Sequence, residues 1–222
     1  MSYFDKDFLN FFKELEKNNN KEWFDENRKR YEKTIKDPFK AFVQQMINRM
    51  QELDENIIIQ PKDCIFRINR DVRFSKDKTP YKTQVSAVVG VGGKKNRTTP
   101  GIYFQFSPND IRIYSGIFRL EKEDLHNVRQ EIAYNMDEFS KIISNKEFVN
   151  TFGEIHGEKN KRLDKDLMES AENQPLIFNK GFYYYKKWDA KTVFDNGLDS
   201  ILIETFKVAI PLNNFFKRAL EA

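Results

Sequence analysis

The spacing of apolar residues changes period along this chain, and that change limits the fold more than any other feature of the sequence. Up to about residue 50, Phe8, Leu9, Phe11, Phe12 and Leu15, then Trp23, Phe24, Tyr31, Ile35, Phe39, Phe42, Val43, Met46, Ile47 and Met50, recur at helical intervals. From Ile57 to about Phe118 the period falls to two, and residues 57–59, 64–69, 84–91, 102–107 and 111–117 read as strands. Helical spacing returns with Leu125, Val128, Ile132, Met136, Phe139 and Ile142 on one face. An aromatic strand at 181–188 and a helix over 198–222 complete the chain. Consecutive strands joined by short loops pair antiparallel, so the expected fold is α+β: an antiparallel meander sheet in the middle of the chain, packed by N-terminal and C-terminal helices.

Local punctuation refines this. Asp5 can cap the first helix, and Asn18-Asn19-Asn20 stops it. Pro38 should divide or kink the second helix and Pro211 should break the last, because proline lacks the donor that a helix interior needs. Residues 90–100 read as a flexible loop, Asn109-Asp110 as a turn, and 153–166 as irregular at its start. Trp23-Phe24 and the 181–185 aromatics read as core, with Trp23 packed against the strand region.

The 21 Phe and 9 Tyr supply enough apolar area for a sizeable core, so a disordered chain is excluded. Without a repeat, low-complexity tract or linker, residues 1–222 read as a single domain. One cysteine, Cys64, permits no internal disulfide and is expected as a small core residue in a strand. The acidic start is unlike a signal peptide, and the longest apolar run, 182–185, falls far short of the roughly 20 residues a membrane helix needs. The expectation is a soluble, cytoplasmic protein with no membrane association, a monomer or weak dimer that needs no metal or cofactor.

Charge singles out one segment. Residues 67–82 hold six cations against two acids, a surplus equal to the +4 of the whole chain. Lys94, Lys95 and Arg97 add three more with no acid between 83 and 97. Charge concentrated in this way steers anionic ligands. Strand alternation sends Phe66 and Ile68 to one face and Arg67 and Asn69 to the other; the pattern then fades into a loop, a common place for a site. The candidate ligand-binding residues are Arg67, Arg70, Asp71, Arg73, Lys76, Asp77, Lys78, Tyr81 and Lys82. Arginine forks suit carboxylate or phosphate, and Asp71 and Asp77 can hold them in place.

The run Arg70-Asp71-Val72-Arg73-Phe74-Ser75-Lys76-Asp77-Lys78-Thr79-Pro80-Tyr81-Lys82 resembles the signature of an uncharacterised bacterial and fungal family, domain-of-unknown-function family 2461. Asn18-Asn19 with Trp23-Phe24 and Tyr31, Pro100-Gly101-Ile102-Tyr103, and Arg129 with Ile132 fit the same pattern. Near the C-terminus, Asn179-Lys180-Gly181-Phe182 stands where the family shows a Pro-Arg-Gly-Phe-like element, with Lys180 in the place of its arginine. The resemblance implies a relative and no activity.

Two further strands add candidates. Tyr103 and Gln105 alternate with Ile102, Phe104 and Phe106, and Arg112 and Tyr114 with Ile111 and Ile113. Sharing a face with Arg67 and Asn69, they would make a surface able to bind an anion or stack bases, so Tyr103 and Arg112 join the site. No phosphate loop, nucleophile elbow or paired-histidine zinc motif is present. His126 and His156 read as ordinary surface histidines.

Three functions stay open. The first is a binding module for an anionic or phosphate-bearing ligand, a small molecule or nucleic acid, on the basic strand and loop. The second is an enzyme on a small anionic or phosphorylated substrate, with Arg67, Arg70, Arg73 and Lys82 as clamp, Asp71 or Asp77 as base or Mg²⁺ ligand, and Tyr81 as proton donor. The third is a structural role, the Arg/Asp cluster forming an internal ion-pair network.

Overall fold

Four strands follow one another through one antiparallel sheet in chain order: β1 (Val85–Val89), β2 (Ile102–Phe106), β3 (Asp110–Ile117) and β4 (Phe182–Asp189). Helices from both ends of the chain flank this meander, as the change of period implies. The computed structural model describes residues 2–96 and 100–221; Arg97, counted above with the basic residues, lies outside them.

Two expected strands are absent. Residues 57–59 bond locally, the Gln51 amide donating to the Ile57 carbonyl at 2.8 Å, and Ile58 is left 86% exposed. The strand expected over 64–69 is reduced to isolated bridges at Ile65 and Asn69, because Cys64 closes a helical turn, α5 (Pro61–Cys64). Pro61 at its start has no N–H to satisfy, and the Asp63 carboxylate accepts from the Gln60 N–H at 3.2 Å. Cys64 is therefore a buried helical residue, its thiol pushed up to about 12 by burial.

The N-terminal helices are α1 (Asp7–Lys17), α2 (Lys21–Glu26), α3 (Arg28–Tyr31) and α4 (Asp37–Gln51). The Asp5 carboxylate accepts from the Asp7 and Phe8 N–H groups at 2.9 and 3.2 Å, as a cap does. Before Pro38 the helix widens into one π turn, Glu32–Lys36, which absorbs the missing proline donor without a break. Pro211 behaves differently from expectation. The C-terminal helix α10 (Leu198–Glu221) runs through it. Pro211 is exposed while Phe206, Ala209, Leu212, Phe215 and Phe216 stay buried on both sides of it, so packing holds the helix across the lost bond. The apolar face beginning at Leu125 divides at Asn135 into α6 (Lys122–Tyr134) and α7 (Met136–Ile143). Next come α8 (Lys146–Phe152) and a helix the spacing did not suggest, α9 (Lys165–Asn173), which buries Leu167 and Ala171.

The chain forms two compact units. The first comprises Met1–Lys94, Tyr103–Ile113 and Lys187–Ile203. Its core is aromatic: Phe42 of α4 meets Phe104 and Phe106 of β2 at 5.6 and 5.4 Å between ring centres, and Phe4 meets Phe106 edge-on. Trp23, expected in the core, is half-buried against Phe11 of α1; neighbours on a helix lie about 100° apart, and Phe24 takes the inward place.

The second unit comprises Lys95–Ile102, Tyr114–Lys186 and Glu204–Ala222. Its buried hydroxyls among the described residues are satisfied: Tyr184 donates to Asn213 at 2.8 Å, Asn213 to Ser115 at 2.8 Å, and Ser115 to the Gly101 carbonyl at 3.1 Å. His156, expected at the surface, bridges to Tyr183 through backbone bonds of 2.7 and 3.1 Å and stacks on Tyr185 at 5.1 Å. With Tyr114 against Tyr185 and Phe118 against Tyr183, it joins a row of half-buried and exposed rings.

Candidate functional site

All the geometry in this section lies in the first unit. Residues 65–70 run antiparallel to 80–87 without forming a full strand. Bridges join Ile65 to Ala87 and Asn69 to Tyr81, with backbone bonds from Arg70 to Pro80 at 2.9 Å and from Lys82 to Ile68 at 2.8 Å. The intervening residues 71–79 are the tip of this ribbon. The Asn19 side chain extends the pairing from the other side, accepting from the Tyr81 N–H at 3.0 Å and donating to the Tyr81 carbonyl at 2.9 Å. An asparagine amide thus supplies what a neighbouring strand would. Its flanking residues serve the helices: Asn18 ends α1, and the Asn20 side chain caps α2 through the Trp23 N–H at 3.0 Å.

Tyr81 is buried and stacks on Phe24 at 4.0 Å with the rings 16° apart. Beside it opens a cavity of about 460 Å³, whose wall includes Arg70, Asp77, Tyr81 and Lys82 from the expected site. Glu16, Asn19, Thr79, Thr83 and Gln84 complete the lining, and none of them is among the candidate binding residues read from sequence. Thr79 lies within the signature run, and Asn19 within the family pattern and an asparagine cluster that reads as a helix stop. The contact of Asn19 with Tyr81 spans 62 residues of chain, which no local pattern reveals.

Arg70 and Asp77 are locked together. The Arg70 guanidinium donates to the Asp77 carboxylate at 2.5 Å, to the Thr79 hydroxyl and to the Thr79 carbonyl at 3.2 Å. The Thr79 N–H, Arg70 and the Thr79 hydroxyl, in that order, hold the Asp77 carboxyl down at about 2. Such a group stabilises the loop above the usual carboxylate range, and its help fades as pH falls toward 2. Carbon-detected NMR titration should place Asp77 near 2 in the wild type. In Arg70→Ala it should lie higher but still below an ordinary aspartate, because both Thr79 donors remain.

The other cations divide. Arg73 grips Asp71 at 2.7 and 2.9 Å, an exposed pair that water screens heavily. The Lys78 ammonium donates to the Val72 carbonyl at 2.9 Å and ties off the tip. Arg67 and Lys76 are exposed. Arg67, Asp71, Arg73, Lys76 and Lys78 are not part of the cavity lining.

Lys82 is half-buried, its ammonium 5.7 Å from the centre of the Phe66 ring. Burial and then Arg67 lower its pKa, and no carboxylate among the described residues offsets them. Tyr103 packs on Phe66 at 5.8 Å, and its hydroxyl donates to Gln105 at 3.5 Å. Gln84 of the lining donates to the same Gln105 oxygen at 3.3 Å, so Tyr103 reaches the cavity through one amide. Arg112 is engaged with Asp110 at 2.8 and 3.0 Å, where Lys187 also binds at 3.2 Å. Burial would raise the Asp110 pKa, but these two cations outweigh it and lower it. Arg112 does not line the cavity.

Among the described residues no group of three or more His, Cys, Asp or Glu side chains converges as metal ligands would. No helix among them is long and apolar enough to cross a membrane. No curated protein matches the chain. The ribbon, its tip and Asn19 all lie within residues 7–215, which match the family described as Conserved hypothetical protein (DUF2461), and the protein belongs to that family.

Proposed function

We propose that the cavity beside Tyr81 binds an anionic, phosphate-bearing ligand, with Lys82 and Arg70 as its cationic contacts. The observation that carries this reading is Lys82: an ammonium drawn half out of water, on a cavity wall, with Arg67 lowering its pKa further and no ion pair to a carboxylate among the described residues. A bound anion would supply the missing counter-charge. Arg70, fixed by Asp77 and Thr79, would meet that anion already oriented. The cytoplasm is the proposed compartment, on the single cysteine.

Thermal melts with and without inorganic phosphate, at matched ionic strength, test the reading. At phosphate a hundredfold above its Kd the wild type should gain about 2.7 kcal/mol, or roughly 5–10 °C in Tm for a chain of this size. Lys82→Met should lose that gain, and Arg73→Ala, outside the lining, should keep it. An internal ion-pair role for the cluster instead predicts no phosphate effect in wild type and a lower Tm for Arg70→Ala in plain buffer.

A second reading, catalysis on the bound anion, has one observation in its favour. Glu16 lines the same cavity and forms no ion pair among the described residues, whereas Asp71 and Asp77 are held by arginines. Release of phosphate from a panel of phosphate monoesters, abolished by Glu16→Gln, would favour it.

A further inference from the structure

The tip of the same ribbon holds Phe74 out in water. At 96% exposure it is the most exposed large apolar side chain among the described residues. The Arg73 guanidinium lies 5.9 Å from its ring centre, and Lys76 and Lys78 beside it are exposed. The tip is braced: Arg73 to Asp71, Lys78 to Val72 and Thr79 to Asp77 fix it from three directions. A ring presented on a braced loop loses little conformational freedom when a partner covers it.

Phe74 is three residues from Asp77, which lines the cavity, so the two α-carbons lie within roughly 11 Å of each other. A partner that reaches both must carry a flat apolar group and a negative charge within a short repeat. The local charge fits a polyanion, because the acids of the segment are taken by Arg70 and Arg73 while Arg67, Lys76 and Lys82 form no ion pair among the described residues.

We infer that the ligand of this site is single-stranded nucleic acid, with a phosphate held by Lys82 and Arg70 and a nearby base stacked on Phe74. The inference rests on the cavity being an anion site. Stacking on an aromatic ring tolerates any base, and the cations follow the backbone. Duplex binding normally uses a broader basic surface than one loop. Insertion into a membrane draws on a whole apolar helix face, and this tip offers one ring and the half-buried Val72.

The test is fluorescence anisotropy with a labelled twelve-residue oligothymidylate, run beside the phosphate melts of the wild type. Phe74→Ala should weaken oligonucleotide binding by about 5- to 150-fold, the loss of one base–aromatic stack, and Phe74→Trp should preserve it. The salt dependence should have a log–log slope of about −2, for the phosphate held by Lys82 and Arg70 and one more each at Arg67 and Lys76, and shallower in Lys82→Met. No oligonucleotide binding while phosphate still protects the wild type would overturn the inference and leave the anion site standing. If phosphate also fails to protect, both fall. Phe74-dependent binding to phosphatidylserine vesicles, with none to the oligonucleotide, would overturn it in favour of a membrane. Binding that survives Phe74→Ala and is lost in Tyr185→Ala would overturn it by moving the contact to the row of rings that includes Tyr185.

Discussion

Phe24→Ala is expected to cost about 3–5 kcal/mol in equilibrium urea denaturation, and Trp23→Ala less than half as much. The two residues are adjacent, and on size alone the tryptophan would be the greater loss. Phe24, however, is 2% exposed and lies flat on Tyr81, with Tyr31 at 5.1 Å and Phe11 at 6.4 Å on its other sides. Trp23 keeps part of its surface in water and meets one ring, Phe11. Removing Phe24 leaves a void between α2 and the ribbon that three aromatic neighbours cannot easily fill. Tyr81→Ala combined with Phe24→Ala should cost less than the sum of the two, because each single change already empties the same contact. A larger loss from Trp23→Ala would mean that α2 turns its other face to the core.

The fold was legible because burial imposes a period, and the period survives in the sequence. In β2 and β3 the buried residues alternate with half-buried ones as the pattern requires, from Ile102 to Phe106 and again from Ile111 to Ile117. The misreadings come from short runs, where period two and a helical turn look alike. Residues 61–64 turn as a helix although they abut a strand-like stretch, and the signal for it, Gln60-Pro61 followed by Asp63, lies in the capping residues rather than in the apolar ones. Pro211 shows the opposite limit. A local rule says that the helix ends there, and packing on both sides overrides it.

The site was legible only as a segment. Charge density marks residues 67–82 but does not say which side chains turn inward. Arg70 and Lys82 do, because the ribbon pairs through their backbones; Arg73, Lys76 and Lys78 belong to the exposed tip. Part of the remaining wall comes from Glu16 and Asn19 near the end of α1, far away in sequence. Asparagine is common enough in turns that nothing local separates an Asn19 that clamps a tyrosine from an Asn18 that merely ends a helix. Only the fold does that.

Gly157→Ala is expected to be severely damaging for so small a substitution, costing more than about 4 kcal/mol or preventing folding. A methyl group there would sit 2.1 Å from the Gly181 carbonyl oxygen and 2.9 Å from the Asn179 amide. The obstacle is backbone, and that backbone cannot retreat: Gly181 is itself so close to the Phe118 carbonyl that its own methyl would lie 2.5 Å away. Gly116 meets the Phe182 carbonyl in the same manner, at 2.2 Å. Three chain segments therefore cross at van der Waals distance, and the buried Arg129 braces the crossing by donating to the Asn179 and Phe178 carbonyls at 2.9 and 3.4 Å. Gly153 supplies the comparison. Its φ of 75° disfavours a side chain, yet no atom lies within 4 Å of where a methyl would go, so Gly153→Ala should cost only backbone strain, about 1–3 kcal/mol. If conformational freedom were the reason for these glycines, Gly153→Ala would be the worse of the two, since Gly157 does not take a positive φ. Close approach predicts the reverse order. Thermal melts of the two variants, with the soluble yield recorded where Gly157→Ala does not fold, decide between the two causes, and a stable Gly157→Ala protein would show that the crossing is looser than its distances imply.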